Sequence, residues 1–121
     1  MKTLCFDIDG TICEQTESKY KEAKPYPEAI KVINALYEEG YRIIFYTSRF
    51  MGRNNGDIEK AYNEGYVFTK KQLDDWGFRY HKLIMGKPSH HLNIDDKSLF
   101  FELNWELIEK KIKDRVKEYI H

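Results

Sequence analysis

Four short apolar runs punctuate the chain: Leu4 to Phe6, Ile43 to Tyr46, Leu83 to Met85 and Leu92 to Ile94. They are continuous rather than alternating, the pattern of strands covered on both faces of a parallel sheet. Between the first two lie a polar loop, the segment Pro25-Tyr26-Pro27-Glu28, and a stretch where Ala29, Ile30, Val32, Ile33, Leu36 and Tyr37 recur at helical spacing. Pro27 suits a first helical turn and Gly40 a helix end. Strand, helix and strand make a βαβ unit with a right-handed crossover. Residues 50–56, rich in Gly, Asn and Arg, read as a loop. Residues 57–63 and 69–76 read as two short helices interrupted around Gly65, the second ended by Gly77. Leu103, Leu107, Ile108, Ile112, Val116 and Ile120 draw the stripe of a C-terminal helix, which packs on the sheet or serves a dimer contact.

At 121 residues the chain has the size of one domain, 1–121, with a real core and no room for a second. Its 20 basic and 20 acidic residues balance, which removes any bulk electrostatic argument for a nucleic-acid or acidic-membrane partner. No stretch approaches the roughly 20 apolar residues of a membrane span, and three apolar residues before Asp7 make no signal peptide. Two cysteines form neither a zinc framework nor a disulfide scaffold. Cys5 reads as a small core residue of the first strand, and Cys13 as a loop thiol for which a reactive role is the minor reading. The expectation is a cytoplasmic protein.

The chemistry concentrates where these strands end. Asp7-Ile8-Asp9-Gly10-Thr11 directly follows the first run. Two carboxylates one residue apart at the end of a buried strand need compensation. A divalent cation usually supplies it, and Mg²⁺ favours one or two carboxylates plus phosphate oxygens. On an extended chain, positions i and i+2 face the same side, so both acids can face one site. Gly10 then lets the backbone turn away. The second strand ends in Tyr46-Thr47-Ser48-Arg49, the third in Gly86-Lys87-Pro88, and the fourth in Asn93-Ile94-Asp95-Asp96-Lys97. Taken singly, these ends also read as a Ca²⁺-type acidic loop, hydroxyl caps, a solvated lysine and an Asp N-cap. A doubly wound sheet collects its ligand at the carboxyl ends of its strands, which brings the four together.

In this order the four segments resemble the motifs of the haloacid dehalogenase (HAD) superfamily of phosphohydrolases. The resemblance implies an α/β, Rossmann-like three-layer fold with a central parallel sheet. It implies Asp7 as the nucleophile that becomes an aspartyl-phosphate, and Asp9 as the acid and base. Thr47 and Lys87 would hold the transferring phosphoryl group, with Ser48 one place late for the hydroxyl. Asp7, the Asp9 carbonyl and the Asp95/Asp96 pair would hold Mg²⁺, with Asp96 aligning slightly better as direct ligand. Neither gap between motifs holds a cap domain, so the open site accepts a large substrate or borrows a lid from another copy in a homo-oligomer.

Over nearly its whole length the chain also resembles the capsule-biosynthesis phosphatase group, through its Pro-Tyr-Pro-Glu helix entry, Tyr-Thr-Ser-Arg turn and Asp-Asp motif. That implies a sugar phosphate or related small phosphomonoester as partner. Arg49 and Arg53 read equally as readers of a carboxylate or second phosphate and as surface arginines. Tyr20 and Tyr26 flank a sugar ring or pack their loop, and His81, His90 and His91 need no catalytic role. The reading is a Mg²⁺-dependent phosphomonoesterase; a nucleotidase, a phosphoprotein phosphatase and a non-catalytic scaffold of the same fold are its alternatives.

Overall fold

The structure is a computed structural model and describes residues 2–117. Its elements follow in the order β1 (Thr3–Phe6), α1 (Pro27–Glu38), β2 (Arg42–Thr47), α2 (Ile58–Trp76), β3 (Lys82–Met85) and α3 (Trp105–Val116), with single 3-10 turns at Tyr20–Glu22 and Gly52–Asn54. The three strands form a parallel sheet in the order β1-β2-β3, with Phe6 opposite Phe45 and Phe45 opposite Leu83. This is the expected mixed α/β architecture, a parallel sheet flanked by helices.

Helix boundaries follow local chemistry. Pro27 opens α1, whose Ala29, Val32, Ile33 and Leu36 are buried. The Asp57 carboxylate accepts from Lys60 N–H at 3.1 Å and caps α2, and Asn104 caps α3 through Leu107 N–H at 3.1 Å. The core gathers Phe6 and Phe45 from the sheet, Leu36 and Ile33 from α1, Leu73 from α2, and Trp105 and Ile108 from α3. Trp105 and Phe45 each pack a ring against Phe6, with centroids 6.1 and 6.3 Å away. Burying each such side chain contributes roughly 1.5–3 kcal/mol.

Several sequence expectations change here. Residues 58–76 form one helix, not two, and Gly65 lies buried within it. A Cβ at Gly65 would sit 2.1 Å from the Phe50 ring, so the glycine is a notch for that ring rather than a helix break. Phe50 holds φ at +68°, a left-handed value uncommon for an aromatic residue. Its seat against Gly65, its tilted ring contact with Tyr20 at 4.9 Å and its N–H donated to the Tyr20 hydroxyl at 3.3 Å hold it there.

The strands are not covered equally on both faces. Phe6, Ile43, Phe45, Leu83 and Met85 are buried, whereas Ile44, Tyr46 and Ile84 are half-buried and Cys5 is exposed. Cys5 is therefore not a core residue; β1 is an edge strand and turns Thr3 and Cys5 outward. Cys13, in contrast, is wholly buried.

The fourth expected strand does not form. Leu92 and Ile94 are 75% and 90% exposed on an irregular arm that connects β3 to α3. Only residues 86–91 separate that run from β3, and a parallel return needs a crossover of a dozen or more residues. In the C-terminal helix, Trp105 rather than exposed Leu103 begins the buried face, and Ile120 lies outside the described residues.

Candidate active site

β1 ends at Phe6, and the chain then turns: Thr11 N–H and Ile12 N–H both donate to Ile8 C=O, at 3.1 and 3.0 Å. Gly10 makes this turn at φ +80°, where a side chain would be strained. The extended i, i+2 geometry therefore stops before the acids, and Asp7 and Asp9 are held by different cations.

Asp7 lies beside Lys87, with Oδ1 3.7 Å from Nζ, and its side chain keeps 35% of its exposure. Burial pushes the Asp7 carboxyl above its ordinary range. The Lys87 ammonium, the Ile8 backbone N–H and the charge of His90 pull the other way, while Asp9 adds to the rise. Lys87 is placed by its backbone, its N–H donating to Thr47 C=O at 3.1 Å and tying the β3 exit to the end of β2. Buried Thr47 accepts Arg49 N–H on Oγ1 at 3.1 Å, which leaves its own hydroxyl proton available to a ligand. Ser48 is half-buried beside it, its carbonyl closing the turn through Met51 N–H at 3.0 Å.

Asp9 is gripped by Arg49, with Nε to Oδ2 at 2.8 Å and Nη2 to Oδ1 at 2.9 Å. This corrects the reading of Arg49 as a surface arginine and leaves its guanidinium engaged by Asp9 rather than open to a ligand. Its side chain is fully buried, donates from Nη1 to Gln72 at 2.6 Å, and lies 4.7 Å over the Tyr20 ring. Gln72 donates in turn to the Tyr20 carbonyl at 2.7 Å, so α2 fixes the loop that carries Tyr20. Bidentate guanidinium–carboxylate pairs of this kind are geometrically specific, and removing one partner of a buried pair costs about 3–5 kcal/mol. The Cys13 thiol points at Asp9 Oδ1 from 3.6 Å; burial, then the Asp9 charge, push it up to about 12, which makes it an inert donor rather than a nucleophile.

The remaining residues scatter. Arg53 is a rim group, 3.5 Å from Glu64, donating to Ser18 C=O at 3.3 Å and stacked over Phe50. Tyr26 packs against the core. His81 accepts Ile43 N–H at 3.0 Å and stacks on Tyr37, a packing role. Asp95 and Asp96 lie on the exposed arm, where Asp95 Oδ1 accepts Lys97 N–H at 2.9 Å. Among the described residues no three His, Cys, Asp or Glu side chains gather to hold a metal. Within one chain the donor set therefore fits Mg²⁺ only in part, through Asp7 and the neighbouring Asp9 backbone. Gln72, Tyr20 as the seat of Arg49, and His90 close enough to bear on Asp7 were not expected from the sequence; only folding brings their distant segments together.

Against solved structures, the chain is similar to a crystal structure from Vibrio cholerae at 22% identity and TM-score 0.82, over 98% of each chain. It is also similar to the D,D-heptose 1.7-bisphosphate phosphatase from B. bronchiseptica complexed with magnesium and phosphate. There the identity is 19% and the TM-score 0.50, over 70% of this chain and 49% of that one. No curated protein matches the sequence. The family model described as PITM 1-3, LNS2 domain, matches residues 4–73, from β1 through most of α2. That match takes in Asp7, Asp9, Thr47 and Arg49, and the chain belongs to this family of HAD-like phosphatase fold.

Proposed function

We propose that the protein is a phosphomonoester hydrolase working through an aspartyl-phosphate on Asp7. The observation that carries this reading is the Asp7 carboxylate, with the Lys87 ammonium 3.7 Å away, at the strand ends where Thr47 keeps a free hydroxyl proton. In the first step an Asp7 oxygen attacks phosphorus and the bond from phosphorus to the alkyl oxygen breaks. Asp9 gives that oxygen a proton. In the second, water attacks the phosphorus of the acyl phosphate, Asp9 takes a proton, and inorganic phosphate leaves with the Asp7 carboxylate restored.

Lys87 offsets the repulsion between carboxylate and phosphate, and Thr47 and Ser48 orient the phosphoryl oxygens. Both Asp9 oxygens already accept from Arg49, so Asp9 must rotate away from the guanidinium to exchange a proton with substrate or water. Mg²⁺, when bound, would neutralise the crowded negative charge, with Asp7 and the Asp9 carbonyl among its ligands and Asp95 and Asp96 as the remaining acids.

The substrate class is a sugar phosphate or related small phosphomonoester of surface-polysaccharide synthesis, handled by one capless domain in the cytoplasm. The motif resemblance supports this, as does likeness to a heptose bisphosphate phosphatase complexed with magnesium and phosphate. The test is a panel of sugar phosphates, nucleotides and phosphopeptides, followed by Asp9→Asn on the best substrate. A general acid–base contributes roughly 10²–10⁴-fold, so Asp9→Asn should lose about that on an alkyl phosphate. The first-step loss should be far smaller with p-nitrophenyl phosphate, whose leaving group needs little protonation. Equal first-step losses would show that Asp9 serves the fold. If no phosphomonoester is hydrolysed and beryllium fluoride does not bind with Mg²⁺, the protein is a scaffold.

A further inference from the structure

We infer that the arm of residues 86–104 is exchanged between two copies of this chain, pairing Leu92–Ile94 with the outer edge of β1 in the second copy and delivering Asp95 and Asp96 to that copy's Asp7. The inference rests on the proposed phosphatase site and supplies the acids that a single chain fails to gather there.

Three observations converge. First, β1 leads directly into the nucleophile yet is an edge strand, and among the described residues no strand meets its outer side. An open edge beside an active site is a template for another strand. Second, the arm exposes Leu92, Ile94, Phe100 and Leu103 at 75%, 90%, 89% and 66%. Four large apolar side chains within twelve residues exceed the isolated exposure normal for a surface. Third, the arm cannot satisfy its own β1. A parallel strand there would have to begin at the amino end of the sheet, on the far side of β2 and β1. The connection from Met85 would run back the length of β3 and across three strand spacings of about 4.8 Å with only residues 86–91. Parallel returns take a dozen or more residues. A second copy removes that constraint, because its β1 can approach the arm from any direction.

The sequence sets the register. Leu92 and Ile94 alternate as Leu4 and Phe6 do, so Leu92 beside Leu4 and Ile94 beside Phe6 continue the buried side of the sheet. The same register puts Asn93 beside exposed Cys5, and Asp95 beside Asp7 at the carboxyl end. Exchange by a two-fold axis buries both arms at once. Eight such apolar side chains (four from each copy) with their receiving surfaces reach roughly the 1,200–2,000 Å² of a stable dimer. Arm exchange of this kind is a low-cost route to a two-fold dimer. The acids approach Asp7, so the pairing is favourable at that end only with a cation between them, and Mg²⁺ should tighten the dimer.

The test places a thiol on the arm with Asn93→Cys. Parallel neighbours at this register bring the new thiol within disulfide reach of Cys5. Mild oxidation should give a covalent dimer on non-reducing gels, reversed by reductant and lost when Cys5→Ser is added. Sedimentation of the unmodified protein should show a dimer that Mg²⁺ tightens and that Ile94→Asp dissociates. A disulfide within one chain, no disulfide, or a monomeric protein would overturn the exchange. Mixing Asp7→Asn chains with Asp95→Asn/Asp96→Asn chains should restore about a quarter of the wild-type rate, from one intact site in half of the dimers. Failure of that recovery while wild type is active overturns the shared site. A crosslinked dimer in which even wild type hydrolyses no phosphomonoester leaves the exchange standing and refutes the phosphatase reading instead.

Discussion

Two acid pairs, each following a short run with apolar ends, end up in opposite environments. Asp7 and Asp9 follow β1 and are each held by a cation from another strand end: Lys87 at 3.7 Å for Asp7, and a fully buried Arg49 for Asp9. Asp95 and Asp96 follow Leu92-Asn93-Ile94 but lie exposed on the arm, held by local contacts such as Lys97 N–H. An acid pair after an apolar run becomes a site only when the fold brings opposing charge and burial to it. The first pair has this within one chain. The second, on the exposed arm, does not.

The largest contrast between the pairs should come from Asp7→Asn. Turnover should vanish on every phosphomonoester, while the folded state should gain rather than lose stability. Burial raises the Asp7 carboxyl above its ordinary value, so its contribution to stability is full at low pH and lost as pH rises through the raised titration. In Mg²⁺-free buffer, urea melts of wild type should therefore weaken over that rise, and Asp7→Asn should not share the loss. A variant less stable than wild type at neutral pH would show that Asp7 is a structural carboxylate.

Arg49→Ala should come next, destabilising by up to about 3–5 kcal/mol because the largely buried Asp9 carboxylate loses its partner. Arg49→Lys should recover little, since an ammonium cannot make both bonds. Arg53→Ala, on the rim, should stay within about 1 kcal/mol in the same denaturation series. Comparable losses at both positions would remove the distinction between a buried clamp and a surface pair.

Lys87→Ala should lower kcat about 10²–10³-fold with the melting curve little changed, as expected of a charge that acts on the transferring group. An unchanged rate would leave Lys87 a solvated strand exit. Smallest of all should be the stability effect of Asp95→Asn with Asp96→Asn, within about 0.5 kcal/mol when measured without Mg²⁺. The same pair should abolish Mg²⁺-dependent activity. A large metal-free stability loss would mean that the arm acids are already part of a folded network.

The comparison also shows what the sequence carries. The strand triplets, the α1 stripe and the order of Asp7, Thr47 and Lys87 were legible because each is a local pattern of apolar residues closed by a polar turn. Gly65 was misread because helix propensity is local, while the ring that needs its notch comes from Phe50, fifteen positions earlier. The Leu92–Ile94 run has the composition of a strand, but pairing depends on whether 86–91 can reach an open edge. Arg49 carried no signal of burial, since its partners Asp9 and Gln72 lie 40 and 23 positions away.

The most direct test of the account is to trap the intermediate. Protein quenched in acid during turnover and reduced with borohydride should yield a peptide carrying homoserine in place of Asp7, because an acyl phosphate is reduced where a free carboxylate is not. The account predicts that modification at Asp7, dependent on substrate and absent from Asp7→Asn. Turnover with no reducible acyl phosphate, or with the modification on Asp9 or the arm acids, would contradict it.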